Sequence, residues 1–265
     1  MKQLIFILYL LLNTIIGLAQ PKLNIDSLQK LLSSAKEDTT RILLLAQISS
    51  DFTFYNPDSA FELVKQTLRL AQKINYSKGQ IYCHATLGKL WWSVGDYSAA
   101  LRFLLPLEKN AENTTDSWLR INILGFIVAS YRDQGDYQEA LKYGVKFARL
   151  ENTFNQCKLC RHCYTAIASI YIEMRHFDSS LFYLNRAFGY SPIFGDDGWM
   201  YLVAARTYTE LGNYDSAFYF YRQSIPVLTR EENEKDLAGA YNNIASLFAK
   251  MKQSDSAFLY ARKAL

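Results

Sequence analysis

A small residue recurs along the chain at Ala60, Ala100, Ala140, Ser180, Ala217 and Ala257, in steps of 40, 40, 40, 37 and 40 residues. Each belongs to a turn-rich segment: NPDSA, GDYSAA, GDYQEA, HFDSS, GNYDSA and QSDSA. A large aromatic precedes each one, at Phe52, Trp91, Tyr131, Tyr171, Tyr208 and Phe248. A period in this range constrains the fold strongly, because each copy is one supersecondary unit that buries its apolar side only against its neighbours. The stretch 87–107, LGKLWWSVGDYSAALRFLLPL, displays that unit in full. Leu87, Leu90, Trp91 and Val94 lie three and four residues apart, on one face of a helix. Gly95-Asp96 ends it, glycine tolerating the left-handed backbone of a helix end and aspartate suiting the next start. Tyr97, Ala100, Leu101, Leu104 and Leu105 then resume the period on a second helix.

Matching pairs stand on the first helices at Leu87-Gly88, Ile127-Val128, Ile167-Ala168, Ala204-Ala205 and Ile244-Ala245, three of the five a large residue followed by a small one. Together with the aromatics and the Gly-Asp/Asn-Tyr turns, they resemble the tetratricopeptide repeat (TPR) family over roughly residues 39–265. The resemblance implies an all-α, right-handed superhelical solenoid of about six TPR-like helical hairpins, the last of them incomplete. The period exceeds the family's usual 34 residues, which implies longer helices. Val128 is bulky at a small position, and Pro57 and Ser254 replace the turn tyrosine in the outermost repeats.

Residues 1–19 carry Lys2, an apolar run from Leu4 to Leu12 and the small-residue end Gly17-Leu18-Ala19, the pattern of a secretory signal peptide cut before Gln20. A retained anchor helix is the alternative, but Asn13 and Thr14 interrupt a run already shorter than the ~20 apolar residues of a span. No later segment is long and apolar enough, so no membrane span is expected after signal removal; 121–131 comes nearest and is bracketed by Arg120 and Arg132. Residues 20–38 include Leu28, Leu31 and Leu32 on one face, read as a helix capping the stack that occupies 39–265. At the other end the sixth hairpin stops inside its second helix: either a partner covers that edge or the chain continues. Export signal, leucine helix and long-period array together resemble the extracytoplasmic TPR sensory region of bacterial sensor histidine kinases. That resemblance implies a periplasmic or extracytoplasmic place in envelope signalling.

The net charge of +4 falls to +3 without Lys2, with both signs dispersed, a field too weak to argue for nucleic acid. The motifs of P-loop, zincin, nucleophile-elbow and dinucleotide sites are all missing, and His84, His162 and His176 sit in no catalytic constellation, so no cofactor is expected and no enzyme in the chain as given; the alternative is the N-terminal fragment of a membrane TPR sensor histidine kinase whose catalytic part lies beyond Leu265. His84 reads as packing at the start of a first helix, and His176 as the replacement for a turn glycine. The segment 190–199, with Pro192, Gly195 and Gly198, reads as a surface loop whose two aspartates are too few for calcium.

Cys157, Cys160 and Cys163 crowd with His162 into seven residues. Zinc sites usually draw ligand pairs from separate segments, and export favours oxidation over thiolate ligation. A local disulfide among the three is the first reading, free thiols at a helix entry the second and a metal site the least favoured, so no metal is expected. Cys83 stands two repeats away and is expected to stay unpaired. In the family, first helices line a concave groove that binds peptides or partner helices. Carried over position by position, that groove takes Lys89, Trp92, Arg132, Thr165, Ser169, Arg206, Asn242 and Asn243. Lys and Arg would grip a carboxylate or backbone carbonyls, Asn a peptide backbone, and Trp92 an apolar side chain. The competing reading is that the solvent face of any solenoid is polar. The expected partner is therefore a protein or peptide.

Overall fold

The computed structural model describes residues 38–54, 56–153, 160–190, 198–230 and 234–265. The expected signal peptide and nearly all of the expected capping helix lie outside them. The fold is all-α, with no strand among the described residues. The chain divides between Val94 and Gly95 into two compact units, a join that falls inside the second repeat.

The first unit contains α1 (Asp38–Asp51), a 3-10 turn (Phe52–Phe54), α2 (Pro57–Lys73) and α3 (Ser77–Ser93). Asn56 starts α2, its side chain accepting from the Ser59 amide at 3.1 Å, and Pro57 occupies the first turn, where no intrahelical donor is needed. The buried face of α2, Ala60, Leu63, Val64, Thr67 and Ala71, keeps the three-and-four spacing. Thr67 returns its hydroxyl to the Leu63 carbonyl at 2.7 Å and so brings no unmet polar group inside. Helices α1 and α3 meet closely: a Cβ on Gly79 would stand 2.6 Å from Ile42, and Thr86 donates to the Ala46 carbonyl at 3.2 Å.

The second unit opens with α4 (Tyr97–Leu104), which Pro106 turns into a 3-10 stretch (Leu105–Leu107) before α5 (Glu108–Glu112). Next come α6 (Ser117–Arg120), a π turn (Ile121–Gly125) and α7 (Phe126–Gln134), in continuous helical succession. Arg120, read from sequence as a polar bracket, is fully buried, and its Nη1 donates to the Thr114 carbonyl at 2.8 Å. Then follow α8 (Tyr137–Thr153), α9 (Cys160–Glu173), α10 (Phe177–Phe188), α11 (Gly198–Glu210), α12 (Tyr214–Arg230), α13 (Glu234–Lys250) and α14 (Ser254–Lys263). Of the expected loop at 190–199, residues 191–197 lie outside the description, while Gly198 and Trp199 already open α11. Gly198 packs closely, since a Cβ there would approach the Leu228 side chain to 2.6 Å and make it shift.

Every hairpin of this unit is closed by a stacked aromatic pair twelve residues apart. The pairs are Tyr131–Tyr143 at 5.7 Å, Tyr171–Tyr183 at 5.5 Å, Tyr208–Phe220 at 5.4 Å and Phe248–Tyr260 at 5.4 Å. Their interplanar angles of 6–18° are those of parallel rings, worth about 0.5–1.5 kcal/mol per pair beyond area burial. Against the last two pairs Leu202, Ala205, Ala217, Tyr221, Leu228, Ala240, Ile244 and Leu247 form one buried cluster. Ser180 and Thr207, both buried, share a 2.9 Å hydrogen bond between α10 and α11.

The turns obey a single rule: a left-handed residue, then an N-cap. Gly135 (φ 89°) precedes Asp136, and Gly212 (φ 74°) precedes Asn213, with each cap accepting from the amide three residues on. In the fourth repeat the left-handed place belongs to Arg175 (φ 60°), while His176 is the N-cap and makes no side-chain cap bond. The sequence assignment of His176 to the glycine position is thus one residue late, because the left-handed residue precedes the cap. A side chain in left-handed backbone costs about 1–2 kcal/mol, which glycine avoids. Arg175→Gly is therefore expected to raise stability by about 1 kcal/mol and Gly135→Ala to lower it by about the same. Urea unfolding followed by circular dichroism checks both signs.

Candidate functional site

Helices α7, α9, α11 and α13 bring one face each to a cleft of about 250 Å³. Its lining includes Arg132, Ser169, Arg206 and Asn243, four of the residues named from sequence, together with Trp199, Leu202 and Val203. Asp133, Glu173, Asp236 and Gly239 complete it. Arg132 forks onto its neighbour, Nε to Asp133 at 2.7 Å and Nη2 to the second oxygen at 3.1 Å, and its Nη1 reaches the Ser169 hydroxyl at 3.0 Å. Ser169 passes its own proton to the Ala166 carbonyl at 2.7 Å. Arg206 donates to Glu173 at 2.9 Å. Two arginines thus face three carboxylates, and the cleft is charge-balanced with a slight acidic excess.

The remaining named residues stand elsewhere. Thr165 is fully buried and returns its hydroxyl to the Arg161 carbonyl at 2.8 Å, so no part of it reaches the cleft. Asn242 is exposed beside the cleft without lining it. Lys89 and Trp92 belong to the first unit. There the Lys89 ammonium donates to the Ser50 carbonyl at 2.9 Å and the Ser50 hydroxyl at 3.0 Å, and it lies 5.1 Å from the Phe54 ring centroid. Burial pushes its pKa down to about 8, against the pull of Asp51, whose own carboxyl burial moves upward. Trp92, half-buried, meets Phe54 edge-on at 6.2 Å, and Trp91 packs on Phe61 at 5.0 Å.

Sequence reasoning missed Trp199, Asp133 and Glu173. Asp133 adjoins Arg132 in the sequence, so that pair was open to sequence reasoning, whereas Glu173 meets Arg206 across α9 and α11 and only packing shows it. Trp199 is held by the His162 ring at 4.9 Å, a contact between α9 and α11 that gives this histidine a packing role. His84 lies in the middle of α3 rather than at its start, and burial lowers its pKa.

Of the cysteine cluster, Cys157 and the side chain of Cys160 lie outside the described residues, and Cys163 is buried. Cys83 is a free, fully buried thiol whose pKa burial raises to about 12. Among the described residues no three or more His, Cys, Asp or Glu side chains gather to hold a metal, and no helix is long and apolar enough to cross a membrane.

Residues 18–161 match the family model described as the SusR N-terminal TPR domain, and 162–194 and 238–265 match a tetratricopeptide repeat model. No curated protein matches the chain in sequence. A Rap protein complexed with competence and sporulation factor superposes with a TM-score of 0.70 at 14% identity, over 89% of this chain and 66% of its own. Aspartyl phosphate phosphatase F from Bacillus subtilis gives 0.67 at 16%, over 91% and 63%. BtubC (BKLC) from P. vanneervenii gives 0.53 at 13%, over 90% and 89%. The chain spans slightly less than two thirds of the first two structures, and the likeness to all three is one of fold.

Two measurements follow from the buried groups. Lys89 has a folded pKa of about 8 against an ordinary 10.5, so between these values the unfolded chain binds more protons and stability gains with rising pH. Relative to Lys89→Met, the wild type should therefore become more stable from pH 8 to pH 10.5, and a constant difference across that window would contradict the burial of this ammonium. Cys83 should resist alkylation by iodoacetamide in the native chain and react only under denaturant, as read by peptide mass.

Proposed function

We propose that this chain, which belongs to the SusR N-terminal TPR domain family, is a scaffold that holds an extended segment of a partner protein or a peptide in the cleft of α7, α9, α11 and α13. The observation that carries this reading is the composition of the cleft. A floor of Trp199, Leu202 and Val203 suits one large apolar side chain, and about 250 Å³ is room for little more. Asn243, less deeply buried, brings a side-chain amide with the donor and acceptor that a peptide backbone needs. Because Arg132 and Arg206 already hold Asp133 and Glu173, a ligand carboxylate would have to displace an internal partner. An apolar anchor flanked by backbone amides needs no such exchange. The Rap structure, a helical protein complexed with competence and sporulation factor, is a precedent on this fold for holding a second molecule.

The signal-like residues 1–19 support export, and the scaffold would then serve as the sensory or interaction part of an envelope signalling system. Subcellular fractionation with N-terminal sequencing tests this: a periplasmic chain beginning at Gln20 supports it, and an intact cytoplasmic chain overturns it. In the second reading the same scaffold is the front part of a membrane sensor histidine kinase. The genomic frame beyond Leu265 separates the two, a transmembrane run and a histidine-bearing dimerisation helix favouring the kinase and an immediate stop codon removing it.

Binding itself is tested on a peptide array followed by calorimetry of the best binder. Trp199→Ala should weaken it about tenfold to a hundredfold, as buried aromatic anchors do, and Asn243→Ala about threefold to tenfold. Asn242→Ala, outside the cleft, should leave it unchanged. Affinity that survives Trp199→Ala in a folded variant would remove the cleft from consideration.

A further inference from the structure

The position two residues after the recurrent small residue changes character halfway along the chain. In the first three repeats it holds Glu62, Arg102 and Lys142, all exposed, as expected of a solvated outer face. In the last three it holds Phe182, Tyr219 and Leu259, and these are 56%, 57% and 53% exposed. None is needed for the hairpin core, which the stacked pairs and the small residues fill. Ring contacts link their helices in sequence, Phe188–Phe220 at 5.6 Å between α10 and α12 and Phe218–Tyr260 at 6.3 Å between α12 and α14. Three large apolar side chains therefore stand in one row, a repeat apart.

Charge flanks that row on both sides and in a fixed order. One turn toward the helix N-termini lie Asp178, Asp215 and Asp255, all exposed; one turn toward the C-termini lie Arg186, Arg222 and Arg262, also exposed. The face thus reads as an acidic band, an apolar row and a basic band. An anionic lipid surface would meet the basic band but be repelled by the acidic one. A second copy of the same face, turned about a two-fold axis parallel to the row, sets each acidic band against the other copy's basic band and each apolar side chain against its equivalent.

We propose that the outer face of α10, α12 and α14 pairs with the same face of a second copy of this chain, helices antiparallel across the contact. Three exposed apolar side chains with their flanking charges make a small interface, which gives a weak, concentration-dependent association. Asp215 of one copy faces Arg222 of the other in this arrangement, and Tyr219 stacks near its own equivalent on the two-fold axis.

Sedimentation equilibrium of the full chain from about 5 to about 500 µM tests the proposal, the range being set by the weak class of interface. The wild type should shift from monomer toward dimer and lose the dimer in high salt. Tyr219→Lys, which copies the residue naturally present at Lys142, should leave helicity unchanged and reduce association at least tenfold. Asp215→Arg and Arg222→Asp should each be monomeric alone and should associate when mixed, since only the mixture restores opposite charges at both contacts. A wild type that stays monomeric throughout, a dimer indifferent to Tyr219→Lys, or charge variants that fail to complement would overturn it. So would binding to anionic vesicles without self-association.

Discussion

The stacked ring pair inside each hairpin is the interaction on which the second unit depends. A hairpin of two short helices has too little apolar surface to hold its own crossing, and its neighbours can bury it only if the crossing is already in place. Parallel rings from position n of one helix and n+12 of the next fix that geometry by contact area and by the preference of aromatic quadrupoles for offset stacking. The pairs differ chemically: two are Tyr–Tyr, one is Tyr–Phe and one is Phe–Tyr. What persists is a flat ring at both places. Small residues such as Ala140, Ser180 and Ala217, all with no accessible surface, then let the backbones approach.

Helices, turns and the fold class were legible because they follow from local spacing. The left-handed glycines, the aspartate caps and the aromatic-plus-alanine period are each set by residues within a few positions of one another. The site was legible only in part. Arg132, Ser169, Arg206 and Asn243 share the cleft, yet from 132 to 169 and from 206 to 243 the step is one turn short of the local 40-residue repeat. The cleft therefore crosses the helices obliquely, and strict repeat equivalence does not trace it. The contacts of Lys89 were hidden for a different reason: its partner, Ser50, comes from a helix 39 residues earlier, and only packing brings the ammonium to it.

Charge balance separates this cleft from a simple anion clamp. Each arginine is oriented by a carboxylate, which fixes its guanidinium plane and, in the proposed role, would lower the entropy lost on binding. The same pairing cancels the field that would draw acidic ligands from a distance. In the proposed role, selection would fall to shape over Trp199, Leu202 and Val203 and to hydrogen bonding by Asn243.

The turns divide the second unit into hairpins of two kinds. Those closed at Gly135 and Gly212 combine relaxed backbone with a working side-chain cap; those closed at Arg175 and Lys252 (φ 60° each) have a strained residue followed by His176 or Gln253, neither of which caps its helix. Tight and loose closures alternate along the stack. Local opening should follow the same rhythm, with amide protons at the starts of α10 and α14 exchanging ahead of those at α8 and α12, so that a nominally uniform array breathes at every second joint.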